Sequence, residues 1–249
     1  MDKLRIQPPS LLYTAMELRI LYEFPSCFLS NFLSFTEGDK HPVLVLPGFL
    51  GNDLTTYSMR SFFSKLGYAS HGWRLGLNLG YSEKFEAELF KVLHGIYYFF
   101  NKKVSIVGWS LGGIFAREIA KKHPEMVRNV ITLGSPFNDI MTCTNLKWLY
   151  KIVGKEKIED VNKRLLDNLS NPPAVPTTAI YSNSDGVVSG KGCKNKKCSG
   201  STENISVWSS HVGLGFNLMV YKILADRLAQ TEDNWKPYRL SEGKLWKLK

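Results

Sequence analysis

Three side chains offer this chain a reaction to perform: Ser110, Asp185 and His211, in that order and each just past an apolar run. A serine hydroxyl is a poor nucleophile at neutral pH, so it needs a base within hydrogen-bond reach and an acid to orient that base. Ser110 lies in Gly108-Trp109-Ser110-Leu111-Gly112, with the β-branched run 104–107 before it. Residues 114–122 follow, where Phe115, Ile119 and Ala120 recur at helical spacing. The stretch reads as strand, sharp turn, helix. Gly108 and Gly112 are expected where a Cβ would collide with the adjoining strand and helix, and Gly113 lets the helix pack close. Asp185 follows a predicted strand at 177–181, and His211 follows one at 205–208. Both therefore belong at the same sheet edge as Ser110. Asp139, Asp160 and Asp167 are competing acids, and His71 is a rival base that fits a loop or core role better.

A tetrahedral oxyanion needs backbone N–H donors. Residues 41–46 form a short apolar strand ending at Pro47-Gly48-Phe49-Leu50-Gly51, about 60 residues before Ser110. The Phe49 N–H is one candidate donor, and the N–H of Leu111, next after the nucleophile, is the other.

These residues require a repeating scaffold. Predicted strands at 41–46, 68–73, 104–107, 130–133, 177–181 and 205–208 alternate with predicted helices at 57–66, 82–100, 114–122 and 216–228. That alternation is the pattern of a mostly parallel, doubly wound α/β sheet. Residues 140–173, with Trp148 and Tyr150, interrupt it as a helical lid insertion. Residues 1–40 are expected to form an N-terminal helical segment packing on the core, with two helices before and after Pro25. Residues 41–230 are the enzyme-like domain and 231–249 a polar C-terminal tail. The apolar N-terminal stretch is broken by Glu17, Arg19, Glu23 and Pro25, too often for a membrane span. Its roles are packing over the core or, more sharply, an apolar flap or interfacial anchor.

At 249 residues with 44% hydrophobic content the chain can bury a large core. Its net charge of +10 is spread over the chain, with lysine clusters only at 191–197 and at Lys244, Lys247 and Lys249, and no nucleic-acid motif accompanies it. A solvated basic surface is expected, with peripheral membrane contact left open. Cys27, Cys143, Cys193 and Cys198 are too scattered for a disulfide scaffold. Cys193 and Cys198 are open to a small disulfide, half a metal site, or plain surface thiols. The polar start, with Pro8-Pro9, lacks the order of a signal peptide, so a cytoplasmic protein is expected, with membrane association open. No metal or other cofactor is called for.

At VLVLPGFLG, VGWSLGG, ITLGSPF, YSNSDGVV and SSHVGLG the sequence resembles the α/β-hydrolase superfamily. Within it, the likeness is to the bacterial esterase/lipase group that takes in triacylglycerol-lipase-like proteins. It spans about residues 41–230 and is specific for fold and triad, weak for substrate. The resemblance implies Ser110 as nucleophile, Asp185 as acid, His211 as base, and Phe49 and Leu111 as oxyanion donors. Pro47 departs from the HG pair of many lipases, which leaves a backbone donor intact. The implied activity is hydrolysis of acyl-chain carboxylic esters, a small-molecule or lipid ester, through an acyl-enzyme. The alternatives are an acyltransferase using the same triad and a noncatalytic hydrolase-fold protein that binds an apolar ligand.

Overall fold

The computed structural model describes residues 6–80, 82–138, 142–145, 169–196, 198, 200–239 and 247–248. In chain order they form α1 (Leu11–Ala15), α2 (Ile20–Ser26), β1 (Leu33–Ser34), β2 (Pro42–Leu46), α3 (Tyr57–Lys65), β3 (Ala69–Gly72), α4 (Glu83–Phe100), β4 (Val104–Trp109), α5 (Leu111–Lys122), β5 (Val127–Leu133), β6 (Thr177–Ser182), β7 (Thr202–Val207), α6 (Leu218–Ala229) and β8 (Lys247–Leu248). The six strands β3-β2-β4-β5-β6-β7, in that spatial order, make one parallel sheet. Parallel strands need crossovers, and α3, α4 and α5 supply those from β2 to β3, β3 to β4 and β4 to β5, with α3 and α6 on one face and α4 and α5 on the other.

The apolar runs of β2 and β4 are what two-faced burial requires. Val43 and Val45 point with Val107 and Ile131 toward Phe62 and Phe63 of α3 and Leu224 of α6. Leu44 and Leu46 point with Ile106 and Val130 the other way, toward Leu93 of α4 and Ile114 of α5. Each such side chain contributes about 1.5–3 kcal/mol when fully removed from water. The doubly wound α/β sheet read from the sequence is therefore the observed fold, with the β2, β4 and α5 bounds close to expectation.

Some elements differ. β5 and β7 each begin three residues earlier than their apolar runs. In β7 the polar Glu203 is buried because Thr178 and Arg227 donate to its carboxylate at 2.9 and 2.7 Å. Pro25 does not separate two helices. It lies in the last turn of α2, and the chain tightens directly into a 3-10 turn at Cys27–Phe32. The expected lid falls almost wholly on residues 146–168, and with Trp148, Tyr150, Asp160 and Asp167 it lies outside the described residues, as does Asp139. No described helix is long and apolar enough to cross a membrane.

Candidate active site

Ser110 is the hinge between β4 and α5, and its backbone at φ 52°, ψ −120° is one that a side-chain-bearing residue seldom adopts. The turn is that tight because three glycines let backbones touch. A Cβ on Gly108 would lie 2.4 Å from the Cα of Gly113, and one on Gly112 would lie 2.4 Å from the carbonyl oxygen of Leu46. One on Gly113 would strike Ser135. The α5 backbone therefore packs against both β4 and β2, and the hydroxyl of Ser110 is lifted above the carboxyl ends of the strands.

The loops after β6 and β7 end beside it. His211 Nε2 lies 2.9 Å from Ser110 Oγ, and His211 Nδ1 lies 2.7 Å from Asp185 Oδ2. The other carboxylate oxygen of Asp185 accepts the N–H groups of Val187 and Val188 at 2.8 and 2.7 Å, which fixes its plane. All three side chains are buried. Burial works against an imidazolium at His211, but the Asp185 carboxylate, and after it Glu17, outweigh burial and raise its pKa above the ordinary value. The Trp109 indole donates to the His211 carbonyl at 3.2 Å, tying the histidine loop to the end of β4.

The glycine turn after β2 runs along the same serine. A Cβ on Gly48 would come within 3.2 Å of Ser110 Cβ, so Phe49 sits one residue from the flank of Ser110. Leu111 opens α5, where the first N–H groups have no acceptor within the helix. Asn78, fully buried, holds the turn in place. Its Nδ2 donates to Pro47 O at 2.8 Å, its N–H donates to Gly51 O at 2.8 Å, and its carbonyl accepts from Leu50 N–H at 2.8 Å.

The N-terminal segment adds a second set of supports. Glu17 accepts from the N–H groups of Gly186 (2.8 Å) and His211 (2.9 Å), bridging the acid loop to the histidine loop. Glu23 accepts from Ser210 N–H at 2.9 Å and from its hydroxyl. Arg19 donates to the hydroxyl and carbonyl of Ser184 at 3.1 and 2.7 Å. Sequence reasoning did not assign Asn78, Glu17, Arg19 or Glu23 to the site. A signal was present in the charges interrupting an otherwise apolar stretch, and in an asparagine between leucines.

His71 is not brought to Ser110's hydrogen-bonding partners. It is taken up in β3 opposite Leu44, its ring edge-on to Phe100 at 5.3 Å. A second serine–histidine–aspartate file does exist. His41 Nε2 lies 2.8 Å from Ser105 Oγ, and His41 Nδ1 is hydrogen-bonded to Asp39. Ser105 is the second residue of β4, wholly buried at the amino end of the sheet, away from the edge where open α/β sheets bind ligands. Hydrogen-bond geometry alone therefore does not make a site. A place at the carboxyl edge of the sheet and a strained turn distinguish Ser110.

All four cysteines are free thiols. Cys193 is a correction to the surface reading. It is buried against Cys143, Tyr181 and Val188, and burial above all pushes its thiol well up, while Cys198 is exposed. Neither forms the disulfide that their spacing left open. Among the described residues no three His, Cys, Asp or Glu side chains gather as a metal-binding group.

The parallel sheet, the strained serine after its third strand in chain order, and the aspartate and histidine at the same edge define the α/β-hydrolase fold. The chain belongs to the palmitoyl protein thioesterase family, whose model matches residues 42–185, more than half of its length. That span contains Ser110 and Asp185 and ends before His211. Among solved structures, Aspergillus fumigatus lipase B is similar with a TM-score of 0.62 at 19% identity, over 87% of this chain and 59% of that one. The mature Bacillus licheniformis lipase BlEst2 has a TM-score of 0.58 at 19% identity, over 78% and 94%. The thioesterase domain from the curacin biosynthetic pathway has 0.55 at 16% identity, over 80% and 94%. At such identities the likeness is one of fold. No curated protein matches the chain by sequence.

Proposed function

We propose that this protein is a serine hydrolase of acyl-chain carboxylic esters and thioesters, working through an acyl-enzyme. The observation that carries the reading is the continuous file from Ser110 Oγ through His211 to Asp185, with contacts of 2.9 and 2.7 Å. His211 Nε2 takes the Ser110 proton as the oxygen attacks the substrate carbonyl. Asp185 keeps Nδ1 protonated and steadies the imidazolium that results. The N–H groups of Phe49 and Leu111 hold the oxyanion, with the amino end of α5 adding partial positive charge. Collapse breaks the bond to the leaving alcohol or thiol, which takes its proton from His211. Water, deprotonated by the same nitrogen, then attacks the acyl-serine, releases the acid and restores the Ser110 hydroxyl.

The family's name makes a palmitoyl thioester the first substrate to try. The apolar N-terminal region fits a long acyl chain better than a small polar ester. The test is a panel of p-nitrophenyl esters of graded chain length together with a palmitoyl thioester, run on wild type and Ser110→Ala. Turnover is expected to favour longer chains and to fall by about 10⁴-fold or more in the variant, with the circular dichroism spectrum unchanged. Turnover surviving in folded Ser110→Ala would overturn the assignment. Product analysis with an added alcohol separates hydrolysis from acyl transfer by the same residues.

A further inference from the structure

Between Ser10 and Phe32 the chain is turned inside out. Its charges point inward: Glu23 and Arg19 are 3% and 7% exposed, and Glu17 is half-buried against the His211 loop. Its large apolar side chains point outward, with Leu11, Leu18 and Leu21 exposed at 86%, 73% and 77%. An ordinary helix on a core does the reverse, and an apolar surface of this kind on a folded protein calls for an occupant.

The charge around the face selects that occupant. From residue 6 to residue 36 the only acids are Glu17 and Glu23, and both carboxylates are engaged by backbone N–H groups of the loops beneath. Among the described residues, the outer face of residues 10–32 accordingly presents no carboxylate of its own. Lysines stand at both of its ends. Exposed Lys65 donates to Asn31 at 2.7 Å at one end. At the other, Ile6 packs on the cluster of Tyr181, Val188 and Cys193, whose connecting loop exposes Lys191 and Lys196. A second copy of this chain would bring another net charge of +10 against the first, whereas an anionic surface is attracted to it. Tyr22, stacked on exposed Trp208 at 6.3 Å, places two amphipathic rings beside the histidine loop, the kind of side chain that settles at a headgroup boundary.

We propose that the outer face of residues 10–32 docks this protein on an anionic phospholipid bilayer. The segment lies in the plane of the interface with its apolar side chains among the headgroups and upper acyl chains, and does not cross it. The Glu17 carboxylate of the same segment accepts from the backbone of Gly186 and His211, and that of Glu23 from Ser210, so the docked face is tied by hydrogen bonds to the loops that carry Asp185 and His211. The docking goes beyond the ester-hydrolase reading and stands apart from it. What rests on that reading is the consequence that a membrane-borne acyl substrate is met where it lies.

The experiment is co-sedimentation of the full-length chain with unilamellar vesicles of phosphatidylcholine alone and of phosphatidylcholine mixed with phosphatidylserine. Using Ser110→Ala protein makes binding readable whatever the outcome for turnover. Binding is expected on the mixed vesicles, weaker on phosphatidylcholine alone, and reduced by added salt. Joint substitution Leu11→Ser, Leu18→Ser and Leu21→Ser is expected to lower partitioning by about tenfold or more, with an unchanged circular dichroism spectrum and unfolding midpoint. No binding, binding indifferent to phosphatidylserine, or binding undiminished in the triple variant overturns the proposal. So does a dimer, seen by sedimentation, that the triple variant dissolves.

Discussion

Glu17 does two things at once, and they can be measured apart. Its carboxylate fixes the N–H groups of Gly186 and His211, and its charge helps raise the His211 pKa against burial. A base must be neutral to accept a proton, so kcat/KM should rise with pH through a midpoint above the ordinary imidazole value of about 6.5. Glu17→Gln keeps an acceptor but removes the charge. It should move that midpoint to lower pH while the plateau falls only a few-fold, on the order of one lost charge-assisted hydrogen bond. Glu17→Ala leaves two backbone donors without their acceptor and should cost about tenfold or more in the plateau. A pH–rate profile that is unmoved in Glu17→Gln would refute the electrostatic part of this account. The meeting of Ser110, Asp185 and His211 at one sheet edge was readable in the sequence because each follows a strand. Glu17 and Asn78 were not, because they act on backbone groups 169 and 31 residues away, and no spacing rule announces such a pairing.

The strands and helices were readable where apolar residues mark two buried faces, as in β2 and β4, and less so where buried polar groups extend a strand, as at Glu203. The same elements make sharp stability predictions. Gly112 packs α5 on the end of β2, and a methyl group there would meet the carbonyl oxygens of Leu46 and Pro47 at 2.4 and 2.6 Å. Gly112→Ala should therefore destabilise by about 1–3 kcal/mol and lower kcat more than it changes KM, because the displaced backbone carries the Phe49 turn. Gly95, in the middle of α4 with nothing within 4 Å of the added atom, is the control. Gly95→Ala should stabilise by about 0.5–1 kcal/mol with kcat unchanged. Paired thermal melts and ester kinetics check both.

The file of Asp39, His41 and Ser105 joins the start of β2 to β4 and sets a further dependence on pH. Burial, with Arg128 adding to it, lowers the His41 pKa to about 4, against the pull of Asp39. A histidine lowered on folding binds its proton more readily in the unfolded chain. Stability should therefore decline as pH falls from about 6.5 toward 4. His211, raised on folding, has the opposite sign: its contribution is complete below the ordinary imidazole value and fades as pH rises through the raised one. Replacing His41 with Gln should flatten the acid-side slope measured by urea unfolding at a series of pH values. A slope identical to wild type would assign the acid lability elsewhere.

The molecule as a whole does not divide at the edge of its family match. The matched span begins at residue 42, which would make the preceding segment an accessory. Yet that segment supplies the acceptors for Gly186, Ser210 and His211 and the donor to Ser184. Its Phe24 lies edge-on to Phe216 at 4.9 Å, and its Cys27 is part of the core between the sheet and α6. Reading apolar residues as inward-facing had suggested packing by the leucines of this stretch. In fact the polar residues, with Phe24 and Cys27, hold the segment to the core while the leucines face outward, which composition cannot reveal. Deletion of residues 1–32 should therefore lower the unfolding midpoint, since each backbone N–H stripped of its partner costs about 1–3 kcal/mol if it stays buried. It should also reduce kcat on a soluble ester by on the order of 10²-fold, the scale of a misplaced reacting group. An anchor that merely carried the enzyme to its substrate would leave turnover of a soluble ester untouched, and a cover over the site would raise turnover when removed. Steady-state kinetics of the truncated chain on p-nitrophenyl butyrate thus distinguish three roles. Only a fall in kcat accords with carboxylates that hold the acid and histidine loops together.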